Sequence, residues 1–184
     1  DAAQNSKYID KVFLSTDCKE IISIANKLGL NSSYVRPSYL ASDYSKTDDA
    51  ILDALAWLKV NENYIPDTIL ILQPTSPLRT VHDIDAAIVQ FSESSQKCLV
   101  SVHEMLEHPY ECVTNIMDND WSYIAKQSQK ATRRQDYKQK FYYINGAIYL
   151  TRLEFFLKEK RLIKEKDTSF YVMPHERGID IDEY

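Results

Sequence analysis

One pattern recurs three times along this chain and constrains its fold more than any other feature: a short apolar run, a polar pair suited to capping, then apolar residues at helical spacing. KVFLSTD (Lys11 to Asp17) is the first such run. An apolar stretch that closes on capping residues is how a buried strand feeds a helix. Asp17 with Glu20 has the spacing of a capping box, Ile21, Ile22, Ala25 and Leu28 follow at helical intervals, and Gly29 stands where a helix C-cap belongs. SSYVRP (Ser32 to Pro37) predicts a second strand, LASDYSKTDD a loop, and Thr47 to about Asn61 a helix with Ile51, Ala54, Leu55 and Leu58 on one face. Pro66 and Asp67 then interrupt the pattern before TILIL, whose continuous apolar run suits a strand buried on both faces. After QPTSPLRT, Thr80 and Asp83 form another capping pair ahead of Ile84, Ala87, Ile88 and Phe91, and KCLVSVH (Lys97 to His103) is the next strand. Repeated strand-helix units predict an α/β fold in three layers, α/β/α, around a mostly parallel sheet.

Beyond Glu104 the alternation loosens. WSYIAKQSQKATRRQD is polar and basic, FYYINGAIYL (Phe141 to Leu150) is aromatic and strand-like, TRLEFFLKEKRLI predicts a helix, and SFYVM and GIDID predict closing strands. There is no internal repeat, low-complexity tract or linker, so residues 1–184 read as one domain with an elaborated end.

Composition narrows the chemistry. At 184 residues and 44% hydrophobic, the chain is large enough for one sizeable core. A net charge of -5 argues against non-specific nucleic-acid binding, which needs a concentrated Lys/Arg face. A phosphate-bearing substrate would therefore call for a metal cation. Cys18, Cys98 and Cys112 lack metal-knuckle or redox spacing, which fits structural thiols in a reduced cytoplasm. No run approaches the ~18 apolar residues of a membrane span, and no signal-peptide layout opens the chain, so no membrane partner is expected. Only three glycines occur, so these residues carry no Gly-rich phosphate cradle.

Four segments carry groups suited to chemistry. QPTSPLR follows a strand, and ligands collect at the carboxyl ends of strands in α/β sheets. Its two prolines fix the loop's shape; Gln73 offers a donor and an acceptor, and Arg79 a planar cationic fork suited to carboxylate or phosphate. A stiff connector with a surface Arg fits the same residues. GIDID alternates, which as a strand turns Ile179 and Ile181 to the core and projects Asp180 and Asp182 together; two such carboxylates suit Mg²⁺ shared with substrate phosphates, or simply a solvated edge. In RPSYLASDYSKT, Arg36 follows a strand and Thr47 sits at or near a helix N-cap. In RRQD with YYINGAIYL, Arg133 or Arg134, Asn145 and Tyr149 offer charge and hydrogen bonds, although such a strand also suits a packed interface. His82, His103, His108 and His175 show neither metal nor triad spacing.

In order, STDCKEI, RPSYLASD, LQPTSPLRT, RRQD, NGAIYL and GIDID resemble the acylneuraminate cytidylyltransferase family across nearly the whole chain. The related enzymes acting on 3-deoxy-manno-octulosonic acid differ at the LQPTSPLR loop. The resemblance implies a Rossmann-like fold and a reaction in which the anomeric hydroxyl of a sialic-acid-like 2-keto-3-deoxy sugar acid attacks the α-phosphorus of CTP, giving CMP-sugar and pyrophosphate with Mg²⁺. It implies that Asp180 and Asp182 hold the metal; that Arg36, Thr47, Pro74, Thr75 and Ser76 face the nucleotide; and that Gln73, Arg79, Arg134 (or Arg133), Asn145 and Tyr149 face the sugar acid, with Gln73 also near the reacting centre. Thr47 stands where a Ser is common. The resemblance further implies a homodimer built on roughly residues 110–160. It also implies a strand and a triphosphate-wrapping loop ahead of Asp1, without which CTP should bind poorly. Competing readings are a D-x-D glycosyltransferase, a synthetase for legionaminic or pseudaminic acid, and a truncated binding module without catalysis.

Overall fold

The computed structural model describes residues 1–117, 120–125 and 139–181. The helices are α1 (Lys19–Lys27), α2 (Thr47–Glu62), α3 (Val81–Glu93) and α4 (Leu153–Glu159); the strands are β1 (Thr68–Ile71), β2 (Cys98–Glu104), β3 (Val113–Met117), β4 (Asp120–Tyr123), β5 (Tyr142–Arg152) and β6 (Thr168–Val172). A four-stranded sheet has the order β1-β5-β2-β6, and β3 and β4 form a separate hairpin.

The layers follow from which side chains each strand sends to which face. Leu70 pairs across from Leu150, and Leu150 from Leu99, so these leucines share a face. There they join Ile84, Ala87 and Phe91 of α3, together with Ala147, Ile148 and Met173. The alternate β1 residues, Ile69 and Ile71, turn to the opposite face and pack with Ile51 of α2 and Phe156 of α4. Helices on both faces of one sheet make this an α/β fold, as the sequence predicts.

Strand direction departs from a mostly parallel ladder. β5 pairs antiparallel with both β1 and β2, and among the described residues only β2 with β6 is parallel. β1, β2 and β6 therefore run one way, and β5 is inserted against them. An apolar run such as TILIL reports burial on both faces and is silent about its neighbour's direction.

Other elements also differ. Residues 11–17 and 32–37 are not ladder strands among the described residues; they touch through Arg36 N–H donating to the Thr16 carbonyl at 2.9 Å. Residues 1–12 hold no helix and open on a turn, with Asn5 N–H bonded to the Asp1 carbonyl. The N-cap of α1 is Cys18, without a side-chain cap bond, so Asp17 does not act as its cap. The other end of α1 is as expected: Gly29 takes φ +84°, with Leu30 N–H on Ala25 O and Gly29 N–H on Asn26 O closing the helix. Residues 178–181 form no strand, and both Ile179 and Ile181 are exposed instead of facing the core. The segment follows a tight turn at His175–Arg177 and pairs with no strand among the described residues, so strand alternation does not apply to it. The β3–β4 hairpin was not anticipated, although VTNIM and DWSY flank Asp118-Asn119, a turn-forming pair.

Candidate active site

QPTSPLR leaves the carboxyl end of β1, where an α/β sheet gathers ligands. The loop is locked from within. Ser76 N–H reaches the Gln73 carbonyl, and Arg79 Nη1 donates to the carbonyls of Gln73 (3.2 Å) and Ala147 (2.6 Å). Burial lowers the Arg79 pKa, with Asp83 opposing the shift. One arm of the fork is thus spent tying the loop to β5. Arg79 Nε and the enclosed Ser76 hydroxyl have no hydrogen-bond partner among the described residues.

Across from the loop, β5 is broken by a bulge. Val100 pairs with Tyr149 but Val102 with Ile144, so Asn145 to Ile148 crowd opposite Ser101. The Ser101 hydroxyl fills the gap: it donates to Asn145 Oδ1 at 2.6 Å and accepts from Ile148 N–H at 2.8 Å. Gly146 takes φ +73° at this point, and a methyl group there would stand 2.6 Å from Gln73 Oε1 and 3.8 Å from Asp180 Oδ2. Gln73, Gly146 and Asp180 therefore converge. A backbone bond from Ile181 N–H to the Thr75 carbonyl, 2.8 Å, stitches the Asp180 segment to the loop.

Tyr149 belongs to the same neighbourhood. Burial first, then the negative charge of Asp180, and then Tyr143 raise its pKa, so it stays a phenol able to donate at neutral pH. Asn145 is placed differently from the ligand wall that the sequence suggests. It is 1% exposed; its oxygen also accepts from Ala147 N–H, and its Nδ2 donates to the Met173 thioether Sδ at 3.7 Å. The bulge redirects it inward, where it braces β5. Pro74 is exposed and Thr75 half-buried beside Ile181.

Arg36 folds back on Ser15, its Nε donating to Ser15 Oγ at 3.0 Å and its Nη2 to the Ser15 carbonyl. Thr47 is the first residue of α2, one position inside the N-cap Lys46. Arg133, Arg134 and Asp182 lie outside the described residues. Sequence reasoning passed over Gly146, Gly178 and Ser101, which shape the site without touching its open side; a glycine inside the strand pattern YYINGAIYL was the available signal of a bulge.

The donor set suits a hard cation in one way only. Among the described residues no group of three or more His, Cys, Asp or Glu side chains stands together, so there is no all-protein cage. The exposed Asp180 carboxylate beside the Gln73 amide oxygen fits Mg²⁺, which commonly takes one or two carboxylates and fills its shell with water and phosphate.

The fold is a three-layer α/β sheet with polar groups gathered at a strand's carboxyl end, where α/β sheets collect ligands. The family model described as Cytidylyltransferase matches residues 1–177. A pseudaminic acid cytidylyltransferase of Campylobacter jejuni is 30% identical over 180 residues, covering 98% of this chain and 76% of that one. An N-acylneuraminate cytidylyltransferase of Streptococcus agalactiae is 32% identical over 184 residues, covering 99% of this chain and 42% of that longer one. Among solved structures, a CMP:2-keto-3-deoxy-manno-octonic acid synthetase complexed with CTP superposes with a TM-score of 0.62 over 94% of this chain and 76% of that one, at 11% identity, a likeness of fold. The chain belongs to the cytidylyltransferase family and is a nucleotidyltransferase of its acylneuraminate branch.

Proposed function

We propose that this enzyme transfers CMP from CTP to the anomeric hydroxyl of a nonulosonic acid. The hydroxyl oxygen forms a bond to the α-phosphorus, the bond from that phosphorus to the bridging oxygen breaks, and pyrophosphate leaves with its electron pair. The observation that carries this reading is the convergence of Gln73, Gly146 and Asp180 at the end of β1. Gly146 leaves open the space that the Gln73 amide occupies, so the amide faces the site and can orient the sugar. Tyr149 supplies a phenolic donor beside Asp180. Ser76, Pro74 and Thr75 form the rigid nucleotide side of the loop, with Arg36 and Thr47 toward the base and ribose. Arg79 and Arg134 or Arg133 are the cationic groups offered to the acid's carboxylate; Asn145 acts from behind by holding the bulge. Asp180, with Asp182, would hold Mg²⁺, which when bound offsets charge developing on the phosphates.

The same reading extends to assembly and place. The β3–β4 hairpin exposes Ile116, Met117, Trp121 and Tyr123, and the main sheet exposes Tyr142 and Ile144 of β5 with Phe170 and Val172 of β6. Apolar side chains on that scale favour an interface, and a second copy of this chain is the proposed occupant, using the 110–160 region. No described helix is long and apolar enough to cross a membrane. Three free cysteines fit a reducing, cytoplasmic setting. Incubation with CTP, Mg²⁺ and, in turn, N-acetylneuraminic, legionaminic and pseudaminic acid tests the reaction. Pyrophosphate release with one of them is expected; none with any acid contradicts it.

A further inference from the structure

Arg177, three residues ahead of Asp180, is paired with a buried carboxylate and has no place in the chemistry above. Asp83 lies at the first turn of α3 with its side chain fully enclosed, 0% exposed. Its carboxylate accepts from Thr80 N–H (3.0 Å) and Thr80 Oγ (2.7 Å), while the Thr80 hydroxyl accepts from Asp83 N–H (3.2 Å). Arg177 adds a two-pronged bond, Nε to Oδ2 and Nη2 to Oδ1, each 2.9 Å. Burial disfavours the Asp83 charge, but the hydrogen bonds from Arg177 and Thr80 and the Arg177 charge outweigh it, so its carboxyl stands below the ordinary range. A buried carboxylate of this kind binds its partner firmly, because an unpaired charge there would be costly.

The location gives the pair its meaning. Thr80 directly follows Arg79, so Asp83 anchors the exit of the QPTSPLR loop. Arg177 directly precedes Gly178, so it anchors the entry to the Asp180 segment. At the far side the Ile181 to Thr75 backbone bond joins the same two segments. Between these two ties, Gly178 is pressed onto β2 and β5: a methyl group there would lie 2.4 Å from His103 Nδ1 and 2.7 Å from Asn145 Nδ2. The segment can neither lift nor slide while both ties hold.

We propose that Arg177 is a positioning residue: its bidentate pairing with Asp83 sets where Asp180 stands relative to Gln73. This deepens the cytidylyltransferase reading and, for the metal, rests on it. The role is geometric rather than merely charged, so Lys, which offers a point charge in place of a fork, should restore only part of it.

Two measurements on the whole chain test the inference, each on wild type, Arg177→Met and Arg177→Lys. Hydrogen exchange reads the tie itself. In Arg177→Met the Ile181 amide should exchange about tenfold faster or more, while α3 amides from Ala87 to Phe91 keep their protection; unchanged Ile181 exchange overturns the proposal. Mn²⁺ affinity in the presence of CTP, followed by electron paramagnetic resonance, reads the consequence. Supporting groups of this sort are worth about 10–100-fold in metal affinity, so Arg177→Met should bind Mn²⁺ that much more weakly and Arg177→Lys should lie between. A variant that only melts earlier, with Mn²⁺ affinity intact well below its melting point, sinks the positioning role. Wild type that binds no Mn²⁺ contradicts the underlying metal reading instead, and the exchange result then decides the tie alone.

Discussion

Gly146 shows how much of this site depends on single residues. Its φ of +73° is a conformation that side chains resist, and its missing Cβ is the space into which Gln73 Oε1 projects. Gly146→Ala should cost about 1–2 kcal/mol of stability from backbone strain alone, read by thermal melting. It should also displace the Gln73 amide, raising the KM for the sugar acid more than that for CTP. His103 makes a second prediction. Its ring packs edge-on to His175 at 4.7 Å, with Tyr143 and Gly178 also against it. Burial, then the charge of His175, holds its pKa below the ordinary 6.5. The unfolded chain thus takes up the proton more readily, so the stability that neutral His103 contributes is present above 6.5 and is lost as the pH falls through and below it. His103→Gln should flatten the fall in melting temperature between about pH 7.5 and 5.5; an unchanged slope would assign that fall elsewhere. At this scale the sequence singles out Gln73 and Asp180 as a polar group after a buried strand and a carboxylate in GIDID, and the structure brings them near each other. That Asn145 turns inward was not legible, because the bulge that buries it depends on Ser101, on another strand. Arg177 was missed because nothing near it in sequence indicates Asp83 as its partner.

α3 is the element whose sequence and structure agree most closely. Thr80 and Asp83 form the reciprocal capping box that their spacing predicts. Thr80→Ala should cost about 1 kcal/mol, a fall of about 2–4 °C in melting temperature for a chain of this size, and should loosen the loop ahead of it. A melt unchanged by that substitution would mean that Arg177 and Tyr171 hold Asp83 without Thr80. The start of α3 is announced by local chemistry; the segments that read as strands have no such signal of their neighbours. Segments 11–17 and 32–37 have the composition of strands yet share one backbone-to-backbone bond among the described residues, because a ladder needs a neighbour in register. The hairpin β3–β4 exposes nearly every side chain, so it lacks the alternation that marks a half-buried strand.

For the molecule as a whole, the α/β class was legible, since it follows from strand-helix order. The reversed direction of β5 was not. It fixes β5 between β1 and β2, which places Gly146 and Tyr149 beside the loop that leaves β1. The exposed apolar surface belongs to this scale too. Sedimentation velocity at micromolar concentration should find a dimer, and Ile144→Glu with Phe170→Glu should shift it to monomer; a monomeric wild type would contradict the proposed assembly.

The most direct measurement is ³¹P nuclear magnetic resonance of CTP, Mg²⁺ and the accepted nonulosonic acid with the enzyme, alongside Asp180→Asn. The proposed chemistry predicts one CMP-sugar phosphodiester and one pyrophosphate per CTP consumed in wild type, with turnover in Asp180→Asn lower by about 10²-fold or more and the fold intact by circular dichroism. A wild type that makes neither product with any of the acids, or an Asp180→Asn enzyme of undiminished turnover, would contradict the assignment of this site.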